Sequence, residues 1–300
     1  MASDTLRPPA HVAFLGLGKM GVPMANAIAK AGFRVRSWTR SQRRPDALAE
    51  AVEFLPSPLA AVNDAAAVVA MLADGNATDA ALFGSGVADR LSPGTIIVDM
   101  GTSGPEVASV HSQRFAMQGC AYLDAPVSGG VAGAMNASLT IFAGGEFRDF
   151  ERVKSILDTM GTPHHLGPVG AGQTAKLANQ IIVAVSIAAL AEGLTFAEGH
   201  GLDAVRLIEA LKGGFADSAV LRQHGPRMAA RDFSAAGAMR LHLKDLRLAK
   251  GGNSETFCHL WHANKALDVF EALVAQGLGD TDHSGYVVAY GAPGPCPSSS

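Results

Sequence analysis

The sequence predicts an α/β chain, with an N-terminal Rossmann-type, doubly wound sheet followed by a second, all-helical domain. Three observations carry this expectation. Short β-branched or apolar runs alternate with amphipathic stretches from residue 11 to about 165, the rhythm of a parallel sheet with crossover helices. A glycine loop lies between the first such run and the first helical stretch. After Gly172 the strand-like runs stop and helical segments follow one another almost to Gly277. At 300 residues the chain is also near the size at which a single core gives way to two. The expected division is a dinucleotide-binding domain over 1–168 and a helical substrate domain over 169–300. The tail from Gly291 has no core-forming residues and is expected to be disordered.

Strands are expected at 12–15, 33–38, 67–72, 95–99, 121–124 and 138–143. Between them, 20–30 and 105–117 read as helices closed by Gly32 and Gly119, since a glycine past the last turn takes up the left-handed conformation without strain. The first helix of the second domain should span 173–198. It is apolar on nearly every face, at Ile181, Ile182, Val183, Val185, Ile187 and Leu190, which predicts enclosure by other helices. Further helices are expected at 203–212, 220–231, 241–250 and 258–276.

A net charge of -3 leaves no basic field for a nucleic-acid backbone, and no Lys/Arg block suggests an anionic membrane. A small molecule is the expected partner. Cys120, Cys258 and Cys296 lack the even, dense pattern of a secreted disulfide scaffold. Residues 1–10 hold no apolar stretch of signal-peptide length, so the expected compartment is the cytoplasm. The apolar segment 181–191 is about half of what a bilayer span needs. The sequons at Asn76 and Asn136 would matter only in a secreted protein.

The strand at 12–15 runs into Gly16-Leu17-Gly18-Lys19-Met20-Gly21 and then a helix. Gly16 suits the tight turn, Gly18 the approach of a pyrophosphate, and Gly21 close helix–strand packing, with the helix N-terminus facing the anion. The plain alternative is a ligand-free glycine turn. At the end of the second strand, where an NAD site carries a carboxylate, the sequence reads Arg36-Ser-Trp-Thr-Arg40-Ser41. Arg40, with Arg36, Arg43 and Arg44 nearby, suits a 2′-phosphate, so NADP is the preferred cofactor and NAD the other. A solvated basic loop would look the same.

In the segment 170–180, Lys176, Asn179 and Gln180 fall on one helical face by i, i+3, i+4 spacing. Placed in a first turn, Lys176 would meet the positive end of the macrodipole, which depresses its pKa and suits a general acid or base. A lysine snorkelling from a helix start is the equal alternative. Asp124-Ala-Pro-Val-Ser128-Gly129-Gly130 follows a predicted strand, at the edge of the sheet where ligands of such folds bind. Its hydroxyl and open backbone N–H groups suit a carboxylate, although a flexible loop reads the same. His259 and His262 have no further ligand at metal spacing, so no metal is expected.

These elements together resemble the β-hydroxyacid dehydrogenases, a family that includes 3-hydroxyisobutyrate dehydrogenases and tartronate semialdehyde reductases. The resemblance runs through the glycine loop with Met24, Asp99-Met-Gly-Thr102-Ser-Gly-Pro105, Asp124 to Gly130, 170–180, Lys244-Asp245-Leu246 and Gly279-Asp-Thr-Asp-His283-Ser. It implies interconversion of a small 3-hydroxy acid and its aldehyde or ketone, in a homodimer or homotetramer. Ser128, Gly129 and Gly130 would bind the substrate carboxylate, and Lys176 would protonate the carbonyl oxygen as hydride arrives. Asn179, Gln180 and Asp245 would lie at the substrate, Thr102 and Lys244 around the cofactor. Two departures bear on the substrate. Gln180 stands where many members have a second asparagine, as in the tartronate semialdehyde reductase version, and Gly237 stands where relatives often place a phenylalanine, whose loss would widen the site. Rival substrates are 3-hydroxyisobutyrate, succinic semialdehyde, glyoxylate and L-threonate. Imine reduction is disfavoured because Lys176 is present. From another class, a non-catalytic NADP-binding sensor or scaffold would share the fold, but would have no use for Lys176 and Ser128.

Overall fold

The computed structural model describes residues 5–234 and 237–291; the tail beyond Gly291, with Cys296, lies outside them. The chain divides into two compact units, Met1–Lys176 and Leu177–Ser300.

The first unit is built on nine strands, β1 (His11–Leu15), β2 (Arg34–Trp38), β3 (Val52–Phe54), β4 (Ala67–Ala70), β5 (Ile96–Asp99), β6 (Ala121–Asp124), β7 (Val127–Ser128), β8 (Leu139–Gly144) and β9 (Gly161–Gly167). Their order is β3-β2-β1-β4-β5-β6-β8-β7, with β9 also on β8. Helices α1 (Gly21–Lys30), α2 (Pro58–Val62), α3 (Gly75–Asp79), α4 (Val87–Arg90), α5 (Pro105–Ala116), α6 (Gly130–Met135) and α7 (Phe147–Leu157) connect them. Alternation along the strands separates two cores. Val12, Phe14, Val69 and Val98 belong to one, and Ala13, Leu15, Val68 and Ile97 to the other, because successive side chains of a strand point to opposite faces. Both faces are therefore covered, which is why β4 and β5 are buried throughout.

The expected sheet gains three strands and loses its purely parallel character. β3 and β7 have three and two residues, too few to show a period. β9, Gly-Thr-Pro-His-His-Leu-Gly, alternates half-buried and exposed positions without an apolar run. β8 runs antiparallel to β6 and β7 and parallel to β9, because only the short α6 separates β7 from β8 whereas α7 provides a full crossover to β9.

Helix α8 (Ala171–Gly199) begins in the first unit and continues into the second. The second unit continues with α9 (Ala204–Leu211), α10 (Ala219–Ala229), α11 (Met239–Gly252), α12 (Ser254–Cys258) and α13 (Trp261–Leu273), ending in a short 3₁₀ segment, His283–Tyr290. The helix expected over 258–276 starts three residues later, at Trp261, because α12 stops at Cys258 and Asn264 donates its amide to Phe257 O and Leu260 O at the turn between them. The expected enclosure of α8 is also corrected. Ala184, Ile187, Ala191 and Leu194 form a buried stripe in this unit's core, but Ile182 and Phe196 are 66% and 70% exposed. At 29 residues α8 is also longer than its apolar middle suggested, and its length and hydropathy alone would permit a membrane crossing; the buried stripe gives those residues a core to line instead.

Candidate active site

The glycine loop is shaped by contacts that forbid side chains at two of its positions. Gly16 has φ +104°, and a Cβ there would lie 2.2 Å from Met71 O; one at Gly21 would lie 1.8 Å from Gly16 O. A Cβ at Gly18 would meet nothing within 4 Å, so this glycine borders open space rather than packing. α1 starts directly behind it with no side-chain cap. Leu17 is buried, Met20 half-buried and Lys19 exposed. A backbone cradle open at Gly18, at an uncapped helix start, fits a pyrophosphate.

The four-arginine cluster does not survive as such. Arg36 pairs with Glu53 at 3.1 Å and donates to Asn63 O, and Arg44 donates to Leu48 O, Ala49 O and Val52 O. Both guanidinium groups hold the protein together. Arg40 and Arg43 are exposed and make no hydrogen bond or ion pair among the described residues, and Ser41 beside them is exposed as well. The charge facing outward after β2 is thus Arg40 and Arg43.

α8 begins two residues earlier than expected, and the cause is a buried acid. Asp124, at the end of β6, is fully buried and accepts N–H bonds from Gly170 at 2.8 Å and Gln173 at 2.7 Å. Burial lifts its carboxyl to about 6, against these bonds. Lys176 is consequently the sixth residue of α8, in its second turn. The macrodipole reading is corrected on this point, since that effect fades beyond the first turn. What distinguishes Lys176 is burial, with 8% exposure. Gln173, fully buried, accepts from Ser103 N and Gly104 N, both at 3.1 Å, and donates to Gly101 O at 2.9 Å. It ties the loop carrying Thr102 to the first turn of α8. Asp99 accepts from Gly101 N and from the Tyr122 hydroxyl, both at 3.0 Å. Burial, with the Asp99 and Asp124 carboxylates, pushes that phenol well above its usual range.

Ser128 is half-buried and pairs with Thr140 across β7 and β8. Gly129 and Gly130 follow at φ +125° and +61°, and Gly129 is the uncapped N-cap of α6. The segment is a strand, a left-handed turn and a helix start rather than a flexible loop.

In the second unit four predicted residues form one chain of polar contacts. Asn179 donates to Gln180 Oε1 at 3.0 Å, Gln180 donates to Asp245 Oδ2 at 2.7 Å, and Lys244 Nζ lies 3.2 Å from Asp245 Oδ1. Beside them stand histidines to which the sequence assigned no role, although His283 lies in a quoted motif. His242 Nε2 lies 3.0 Å from Gln180 O and so carries a proton, while its Nδ1 faces His283 Nδ1 at 3.1 Å. Burial, with His242 and His224 nearby, lowers His283 to about 3. His224, Asp282 and His283 have ligand atoms within 4.8 Å of one another. Burial opposes ionisation of Asp282, but bonds from His224, Ser284 and Gly237 outweigh it and hold its carboxyl well below the usual range. Arg227 Nε, 3.5 Å from Asp282 Oδ1, supplies a countercharge beside it. Gly237 opens no gap of its own, since a Cβ there would meet the His283 ring at 3.3 Å. His259 and His262 are exposed.

Comparison with known proteins agrees with this geometry. Residues 11–183 match the family described as the NAD binding domain of 6-phosphogluconate dehydrogenase, and residues 170–290 match the NAD-binding domain of NADP-dependent 3-hydroxyisobutyrate dehydrogenase. The chain is 38% identical to 2-hydroxy-3-oxopropionate reductase of Escherichia coli (strain K12) over 92% of this chain and 95% of that relative. It is 32% identical to the NAD-dependent L-serine dehydrogenase of Pseudomonas aeruginosa over 91% of this chain and 95% of the other. The solved structure of Mycobacterium tuberculosis 3-hydroxyisobutyrate dehydrogenase with L-serine superposes with a TM-score of 0.84 at 30% identity, covering 94% of this chain and 99% of that one. A glycine loop open to a pyrophosphate, a buried lysine in α8 and relatives named as dehydrogenases and reductases lead to one conclusion: the chain belongs to the β-hydroxyacid dehydrogenases, NAD(P)-dependent oxidoreductases of small hydroxy acids.

Proposed function

We propose that the chain reduces 2-hydroxy-3-oxopropionate to its 3-hydroxy acid with NADPH, and catalyses the reverse oxidation, with Lys176 as the acid-base group. The observation that carries this reading is a lysine buried in the second turn of α8, a helix start that the protein secures with a buried carboxylate. The glycine loop from Gly16 to Gly21 would hold the pyrophosphate, Arg40 and Ser41 the 2′-phosphate, and Thr102 and Lys244 the remainder. When bound, the nicotinamide supplies the hydride for reduction or accepts it in oxidation. Ser128 and the N–H groups of Gly129 and Gly130 hold the substrate carboxylate, with Asn179, Gln180 and Asp245 as further polar contacts. Lys176, as its ammonium, gives a proton to the carbonyl oxygen, and as the amine it takes the alcohol proton back. Asp245, between Lys244 and Gln180, keeps those two side chains in fixed positions.

The choice of substrate rests on the E. coli relative and on Gln180. Steady-state kcat/KM over 2-hydroxy-3-oxopropionate, the semialdehyde of 3-hydroxyisobutyrate, succinic semialdehyde and glyoxylate, each with NADPH and NADH, tests it. The first substrate with NADPH should lead. A higher value for another semialdehyde replaces the substrate, and a higher value with NADH replaces the cofactor. A non-catalytic scaffold is not favoured, because the relatives are named oxidoreductases. We assign the protein to the cytoplasm, where the free thiols Cys120 and Cys258 stay reduced. A homodimer or homotetramer would cover Ile182 and Phe196 of α8, which light scattering after gel filtration tests.

A further inference from the structure

Two side chains that touch neither end of the proposed chemistry decide where its parts stand. At the carboxyl end of β6 the Asp124 carboxylate spends one oxygen on the Gly170 N–H and the other on the Gln173 N–H. The surroundings are built to its outline. A Cβ on Gly144 would lie 2.6 Å from Oδ1, and one on Gly172 would lie 2.9 Å from Oδ2 and 2.3 Å from Phe142 O. Both glycines let the backbone and this acid close in together, since the same Cβ atoms would also strike Pro168 O at 2.8 Å and Asp124 O at 2.5 Å. From the same helical turn, Gln173 engages both ends of its amide, accepting from Ser103 N and Gly104 N and donating to Gly101 O. Asp124 thus fixes the backbone of the first turn of α8, and Gln173 fixes the Thr102 loop to that turn. Lys176 projects from the same helix three residues on.

We propose that Asp124 and Gln173 are positioning residues for the reduction: the Asp124 carboxylate sets the helix turn from which Lys176 projects, and Gln173 locks the Thr102 loop to it. The inference rests on the reading of Lys176 as the acid-base group. An ordinary stabilising role would be indifferent to whether Lys176 is present. A positioning role is not, because misplacing a proton donor matters only while the donor exists.

A double-mutant cycle separates the two. Asp124→Asn keeps size and one acceptor but turns an NH₂ toward an N–H donor. Gln173→Glu keeps the backbone bonds of Asp124 and sets a carboxylate oxygen against Gly101 O. Each should lower kcat by roughly 10- to 100-fold, the cost of about an ångström of misplacement. In Asp124→Asn, KM and the NADPH dissociation constant should stay within about two-fold, since Asp124 is assigned no ligand contact. Gln173→Glu also loosens the Thr102 loop and should weaken NADPH as well, so its kcat is compared at saturating NADPH. In the Lys176→Ala background neither should lower kcat further. An unchanged kcat in the wild-type background, or an equal drop in both backgrounds, would overturn the proposal. If Lys176→Ala itself retains wild-type kcat, the acid-base reading fails first, and the cycle reports that separately. Should Asp124→Asn not fold, as judged by near-ultraviolet circular dichroism, Gln173→Glu carries the same cycle alone.

Discussion

The glycine loop after β1 and the joint after β6 meet the same demand by opposite means. Each seats a helix start at the end of a parallel strand. The first does so by omission: side chains are missing at Gly16 and Gly21, where a Cβ would strike carbonyl oxygens at 2.2 and 1.8 Å. The second does so by insertion, placing one ionisable group inside the protein and bonding it to the N–H of Gly170, just before α8, and to that of Gln173 in its first turn. Omission leaves a rigid, neutral surface open to an anion. Insertion leaves a helix start whose geometry depends on a single carboxylate. On the proposed function, the lesson is that a region meant to bind can be passive, whereas a region meant to place a proton donor is held from within.

The largest expected effect lies at the joint. Lys176→Ala should lower kcat by roughly 10²- to 10⁴-fold, the usual worth of general acid-base catalysis, with NADPH binding by fluorescence titration unchanged. Lys176→Arg should not restore it, because a guanidinium stays protonated. More than about a tenth of wild-type kcat in the alanine variant would place the proton transfer elsewhere.

On the passive side, Arg40→Asp should reverse the kcat/KM preference toward NADH. Arg44→Ala should leave that preference alone and lower stability, since its guanidinium holds three carbonyls of the 48–52 turn; at about 1 kcal/mol per bond the loss is on the order of 2–3 kcal/mol. A shift in cofactor preference from Arg44→Ala would contradict the division between the two arginines.

Within the loop itself, Gly18→Ala and Gly21→Ala should part company. The first has open space and should unfold at the wild-type temperature while binding NADPH about ten-fold more weakly, a loss of roughly 1.4 kcal/mol. The second meets Gly16 O and should lose about 1–3 kcal/mol of stability. Equal melting curves for the two would mean that the glycines are not distinguished by packing.

The smallest effect is a pH slope. Asp124 has its carboxyl raised from the usual 3.8 to about 6 in the folded protein. A raised acid favours the fold fully below the unfolded value, and that contribution is lost as pH rises from about 4 through about 6. Chemical denaturation across that window should show the wild type losing stability relative to Asp124→Asn, which cannot ionise. A gap that stays constant with pH would place the charge of Asp124 outside this linkage.

The comparison also explains what could be read in advance. The Rossmann sheet, the glycine loop and the helical second half are legible because they are written in periodicity and in glycine spacing. Lys176, Ser128 and the Asn179-Gln180 pair stood out as polar residues in small-residue or apolar runs. Asp124 and Gln173 lay inside quoted motifs with no role of their own, because their partners are backbone groups, and a backbone N–H leaves no letter in the sequence. One signal was available. Asp99 and Asp124 close successive strands, and the structure sets them directly opposite each other. The histidine group behind Gln180 was hidden by distance, with His224, His242 and His283 on separate elements. Arg36 and Arg44 could not be told from Arg40 without knowing which carbonyls curl back toward them.

The added strands carry a consequence beyond the site. A sheet margin with unpaired N–H and C=O groups is a template on which another chain can grow into an aggregate. Here β3 is three residues long and β7 two, while β9 places Pro163, which has no N–H to offer, in the middle of its half-exposed run. The sheet therefore ends in short or interrupted borders, and a growing fibril would find little to copy. A Pro163→Val variant, able to donate where the wild type cannot, should scatter light at a lower temperature on heating while its kcat stays unchanged.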